Sequence, residues 1–110
     1  MVEGKSPFEL SRDLQSQIDN LLSGFDVDSL RPAEREILAE LKRQAIDVRL
    51  EIREYGMAET GAAQAQAASE ARIRLKQFEE TIAQAGGNNL FGPVDVAQLS
   101  AIIGQLAAGL

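Results

Sequence analysis

The sequence predicts an all-α fold, a small helical bundle built on a long antiparallel hairpin with coiled-coil-like seams and flanking N- and C-terminal helices. Three observations carry that expectation. Apolar residues recur at steps of three and four in separate segments, the spacing of one helix face. Capping residues, prolines and glycines fall between those segments, where helices start and stop. Alternation of the strand type never persists long enough to compete.

The first helix is expected over residues 7–23. Ser6-Pro7-Phe8-Glu9 places a serine at the N-cap, a proline at the first helical position and a glutamate three residues after the cap. The serine oxygen can accept from a free backbone N–H there, and the proline lacks only an N–H that would be unsatisfied anyway. Leu14, Ile18, Leu21, Leu22 and Phe25 follow at helical spacing, and Gly24 suits a left-handed residue that ends a helix.

Asp26-Val27-Asp28-Ser29 reads as a turn with two possible caps, and Pro32 opens a second helix over 32–55. Its seam is Leu38, Leu41, Ala45, Val48 and Ile52. With Leu38 at heptad position a, the e positions are Arg35, Lys42 and Arg49, while Glu40, Asp47 and Glu54 occupy position c. Charges that flank a seam select partners and register.

A third helix is expected over 60–85, with Ala71, Leu75, Phe78, Ile82 and Ala85 as its seam. Carrying the second helix's register forward would put Glu59, Gln66 and Lys76 in the core. That break in phase, beside Gly56 and Gly61, predicts a turn in preference to one continuous rod. Gly86-Gly87-Asn88-Asn89 closes the third helix. Asp95 with Gln98 is a capping-box candidate for a last helix over 96–108, which carries Val96, Leu99, Ile102, Ile103, Leu106 and Leu110 and no charge beyond Asp95.

Composition narrows the function. A chain of 110 residues is one domain's worth, and small domains bury a smaller fraction of their surface. Apolar residues make up 45%, yet 16 of the residues are alanine, so the large-side-chain core is modest and a partner would add to it. Eleven basic residues against 17 acidic ones leave a net charge of −6, and residues 1–30 hold six acids against Lys5 and Arg12. Acidity opposes the phosphate neutralisation on which nucleic-acid binding depends and is repelled by anionic membrane surfaces. With no cysteine, no apolar signal core in Met1–Pro7 and no run long enough to span a bilayer, the expectation is a soluble, cytoplasmic protein.

Histidine, cysteine and tryptophan are absent. Thiol nucleophiles, histidine-based triads, Cys/His zinc sites and the Glu-x-x-His pattern of di-iron bundles are thereby excluded. No cofactor or metal is expected. Asp26 and Asp28 fall short of a calcium loop, which needs more carboxylates and a central glycine. Gly86-Gly87-Asn88-Asn89 lacks the lysine and preceding strand of a phosphate-binding loop. Glu51 and Glu54, beside Arg49 and Arg53, read as a solvated salt-bridge face. The basic stripe Arg31, Arg35, Lys42, Arg49 and Arg53 is expected to pair with the acidic first helix, within the chain or across a dimer.

The sequence therefore points to a non-enzymatic assembly or adaptor protein whose partner is a second copy of itself, as a homodimer or higher oligomer, or another helical protein. The expected interaction residues are Leu38, Leu41, Val48 and Ile52, then Leu75, Phe78 and Ile82, then Leu99, Ile102, Ile103 and Leu106. The last helix, apolar on nearly every side, must dock somewhere. Two other classes stay open: a metal-free helical enzyme or anion-binding protein using Arg12, Lys42, Arg49 and Glu51, and a chaperone or cargo adaptor that presents the last helix to another protein.

Overall fold

The computed structural model describes residues 5–110. Among these, four α-helices run in the order α1 (Pro7–Ser23), α2 (Pro32–Met57), α3 (Gly61–Gly87) and α4 (Pro93–Ala108), with a one-turn 3₁₀ helix at Val27–Ser29. The helices form a ring in which α1 packs on α2 and α4, and α3 packs on the same two. Contacts along the pairs fix an up-down-up-down course. Phe8 lies near Leu50 and Arg53 while Leu22 lies near Leu38, so α1 and α2 are antiparallel. Gln17 bonds Gln98 and Gly109 lies against the Pro7 ring, so α1 and α4 are antiparallel too.

Each helix buries the face that its spacing predicts. The seam of α2, Leu38, Leu41, Ala45, Val48 and Ile52, is buried throughout, as is the seam of α3 from Ala71 to Ala85. In α1 the buried residues are Leu10, Ser11, Leu14 and Ile18, with Leu21, Leu22 and Phe25 packed at the edge of the core. In α4 they are Leu99, Ile103 and Leu106. All four helices contribute to one contiguous apolar cluster. Apart from Pro93 and Val94, the apolar residues of α4 that face outward are alanine and glycine (Ala97, Ala101, Gly104, Ala108). They leave little apolar area in water although the helix bears no charge after Asp95.

The helix ends depart in several places from what spacing predicts. Ser6 Oγ accepts from the Glu9 amide as expected, but the Glu9 carboxylate takes the Ser6 hydroxyl. Gly24 is not left-handed. At φ −80° and ψ −6° it continues the right-handed coil, and its amide donates to Leu21 O. Asp26 caps the short 3₁₀ turn, whereas the N-cap of α2 is Arg31, whose amide donates to Glu34 Oε1 at 2.9 Å. Between α2 and α3 the chain does turn, at Ala58–Thr60, and both flanking glycines lie inside helices. Thr60 starts α3 by accepting the Ala63 amide at 3.0 Å.

At the end of α3, Asn89 takes φ 59°. Leu90 N donates to Ala85 O and Asn89 N to Gly86 O, the paired reverse bonds of a Schellman stop with asparagine at its left-handed position. The fourth helix starts three residues earlier than expected, with Gly92 at the N-cap and Pro93 first in the helix, so Asp95 and Gln98 form no capping box. Asp95 instead sits in the first turn, where a negative charge is favoured. The two loops at this end of the bundle are tied together by Phe25 and Phe91, whose rings lie 6.2 Å apart at 45°.

Helix lengths shape the molecule. At about 1.5 Å per residue, α2 and α3 run to roughly 40 Å and α1 and α4 to about 25 Å. The α2–α3 hairpin therefore extends past the first turn of α1, and residues 59–66 are exposed along its tip. The principal extents are 48 × 32 × 19 Å.

Candidate functional site

Ten of the eleven residues expected to mediate interaction lie in the interior of the single chain. Leu38 is 8% exposed and the rest of the ten 4% or less, while Ile102 is half-buried. The seams of α2 and α3 face each other and α4 lies across them. What these residues accomplish in one chain is the bundle itself, and a surface for partners must be sought among the side chains that the core leaves out.

Exposed large apolar residues are not spread evenly. Among the described residues, Phe8, Val27, Ile46, Leu50 and Met57, on α1, α2 and the turn between them, are 42–67% exposed, while α3 and α4 contribute one such residue each, Ile73 and Val94. On α2, Ile46, Leu50, Arg53 and Met57 recur at steps of four, three and four, so they share one stripe beside the buried seam. Opposite them on α1, Phe8, Gln15, Asp19 and Leu22 occupy one face by the same argument. Together these faces line a groove that follows the α1–α2 contact. It contains two cavities: one of about 520 Å³ around Leu22, Val27, Leu30, Leu38, Ala39 and Lys42, and one of about 260 Å³ around Phe8, Gln15, Ile46, Arg49, Leu50 and Arg53.

The groove is apolar along its floor and basic along its α2 rim. Arg35, Lys42, Arg49 and Arg53 all line it, and Asp19 is the one acid among the described lining residues. Arg12 lies one turn after Phe8 on α1 and is exposed, but it lines neither cavity. Within the chain, the expected pairing of the basic stripe with an acidic α1 does not occur among the described residues. The ion pairs there are Lys5–Asp13, Arg43–Glu40 and Arg43–Asp47, none of which joins α1 to α2. Arg49 donates to Gln15 Oε1 and lies 5.9 Å from the centre of the Phe8 ring. Arg35 donates from two nitrogens to Leu30 O. Of the acids of α1, Asp13 accepts from Lys5 and lines with Asp95 a different hollow, between α1 and α4, while Asp19 lines the groove without entering an ion pair among the described residues.

No model of a protein family, no curated protein and no solved structure matches this chain.

The four residues expected of an enzyme do not converge. Lys42 and Arg49 line successive cavities of the groove, and Arg12 lines neither of them. Glu51 lies on the other flank of α2, among Glu54 and Asp47 and across from Arg74 and Glu70 of α3. Partial burial, followed by the nearby charge of Glu54, holds its carboxyl above the usual glutamate range. Among the described residues there is no cluster of three or more potential metal ligands, and the Asp26 carboxylate accepts the Asp28 amide as a cap. Nor is any described helix long and apolar enough to cross a membrane.

Spacing points to the basic half of this site, through Arg35, Lys42, Arg49 and Arg53. It passes over Phe8, Ile46, Leu50 and Met57. Their signal is a second apolar stripe on α2, which runs beside the main seam and ends past the expected helix terminus at Tyr55.

Proposed function

We propose that this protein is a non-enzymatic helix-binding module of the assembly or adaptor type, working through the α1–α2 groove. The observation that carries this reading is an apolar stripe, Ile46–Leu50–Met57 with Phe8, left in solvent beside a complete core. An apolar groove along two antiparallel helices accepts a third helix, whose residues at i, i+3, i+4 and i+7 fill it. The seams of α2 and α3 and the inward face of α4 are already occupied within the chain, so partner binding through them would cost the core its own packing. Assembly through the groove carries no such cost. The same consideration disfavours presentation of α4 to another protein, which would strip Leu99, Ile103 and Leu106 from the interior.

A displayed library of amphipathic helical peptides tests the reading. Selection against the wild-type protein should enrich helices with a common apolar face, and the same pool should lose its affinity for a variant carrying Ile46→Asp and Leu50→Asp. Both positions are exposed, so the variant should keep the wild-type melting temperature. A selection that enriches no helix, or one indifferent to the two aspartates, would remove the groove as the binding surface.

A further inference from the structure

Resting on that reading, we infer that the groove's occupant is an amphipathic helix of another protein that is flanked by acidic residues, and not a second copy of this chain. The inference stands on charge complementarity. Four bases line the groove against a single acid, Asp19. None of the four enters an ion pair among the described residues. A rim of such bases along the α2 side of an apolar floor selects for carboxylates on the matching flank of the partner's apolar stripe and rejects lysine and arginine there.

The geometry sets the length and register of the partner. The lining runs from Arg35 to Arg53 on α2, which at about 1.5 Å per residue is roughly 27 Å, or five helical turns. An occupant of about 18 residues fills it, with one apolar cluster over Ile46, Leu50 and Phe8 and another over Leu22, Val27 and Leu30. A second copy fits poorly. In a two-fold contact between the Ile46–Leu50 stretches, Lys42 of one chain comes within about one residue of Arg53 of the other on the same face, and base meets base along the seam. A non-symmetric contact between copies escapes that repulsion, but it builds a ring or an open filament, either of which light scattering would distinguish from one chain.

Three synthetic helices with one apolar face and different flanks test this by fluorescence anisotropy: one flanked by glutamate, one by lysine and one by glutamine. The glutamate peptide should bind at least about tenfold more tightly than the lysine peptide, with the advantage shrinking as salt is added. A variant carrying Lys42→Glu and Arg53→Glu, both exposed and outside the ion pairs described above, should reverse the order of the two charged peptides. Light scattering on the free protein should give the mass of one chain. Equal binding of all three peptides, or retention of the order in the charge-reversal variant, would overturn the acidic partner while leaving helix docking intact. If the library selection succeeds but the glutamate peptide does not bind, the inference falls and the reading beneath it survives. A dimer lost on Leu50→Asp substitution would assign the groove to a second copy. Sedimentation with phosphatidylcholine–phosphatidylserine vesicles, without binding of any peptide, would assign it to a lipid surface.

Discussion

Glu51 is a side chain whose ionised form the fold disfavours. Its neighbours are Glu54 and Asp47 on its own helix and Glu70 and Arg74 on α3, and partial burial is the first cause of its raised pKa. A carboxyl that holds its proton more tightly in the folded than the unfolded chain favours folding while protonated and loses that contribution as pH rises through the folded value. At neutral pH the ionised glutamate therefore works against the bundle. Replacing it as Glu51→Gln should raise the melting temperature at neutral pH, and the gain should fade in acid below the ordinary glutamate value of 4.5, where wild-type Glu51 is itself neutral. Thermal melts of both proteins at the two pH extremes check this. A gain of the same size at both would show that charge is not the cause. Glu40 runs the other way. Its hydrogen bond from Arg43 lowers its pKa, so it supports folding at neutral pH and gives that up on acidification.

Among the α-helices described, α4 is the shortest, at 16 residues. Its interior holds Gly104, exposed and with open space where a Cβ would be. Glycine inside a helix costs about 1 kcal/mol relative to alanine. The Gly104→Ala variant should accordingly be stabilised by up to about 1 kcal/mol in urea denaturation, with an unchanged slope. A loss of stability would mean that something packs against that face in solution, which would place a partner on α4. The ends of the elements follow a related logic. Three of the four helices have a proline in the first turn, and two of those, α2 and α4, lack a side-chain cap on their first amides. Proline removes one of the orphan donors and pre-sets the backbone, so a polar cap matters less there.

On the scale of the whole molecule, the ring of helices depends on α4 to close it. Leu99, Ile103 and Leu106 are each 4% exposed or less. Burial of such side chains is worth about 1.5–3 kcal/mol apiece, so the three together match a large part of the roughly 5–15 kcal/mol that separates folded from unfolded domains. A chain ending at Gly92 should lose its cooperative thermal transition and expose the apolar sides of α1 and α3. Circular dichroism and dye binding would register both changes. Retention of the wild-type melting temperature would instead mark α4 as a detachable helix, the behaviour of a cargo adaptor. The groove between α1 and α2 lies on the other side of this balance, because its exposed residues can be altered without opening the core.

Taken alone, the sequence determined where the helices lie and which face of each is apolar. Those properties are local: periodicity is set by 3.6 residues per turn, and caps act within three or four residues of a helix end. That is why Leu38–Ile52, Leu75–Ile82 and Leu99–Leu106 are legible as buried faces from their spacing. The tertiary structure decided what those faces are buried against. An apolar seam carries the same pattern whether it packs within a chain or between chains, and short connections at Ser23–Pro32, Met57–Gly61 and Gly87–Pro93 let this chain fill its own seams. It also decided that Arg49 of α2 meets Gln15 and Phe8 of α1 instead of its acids, since charge on a surface helix constrains packing far less than apolar burial does. Phe8 and Leu50, remote in sequence, became one groove only when α1 folded back along α2.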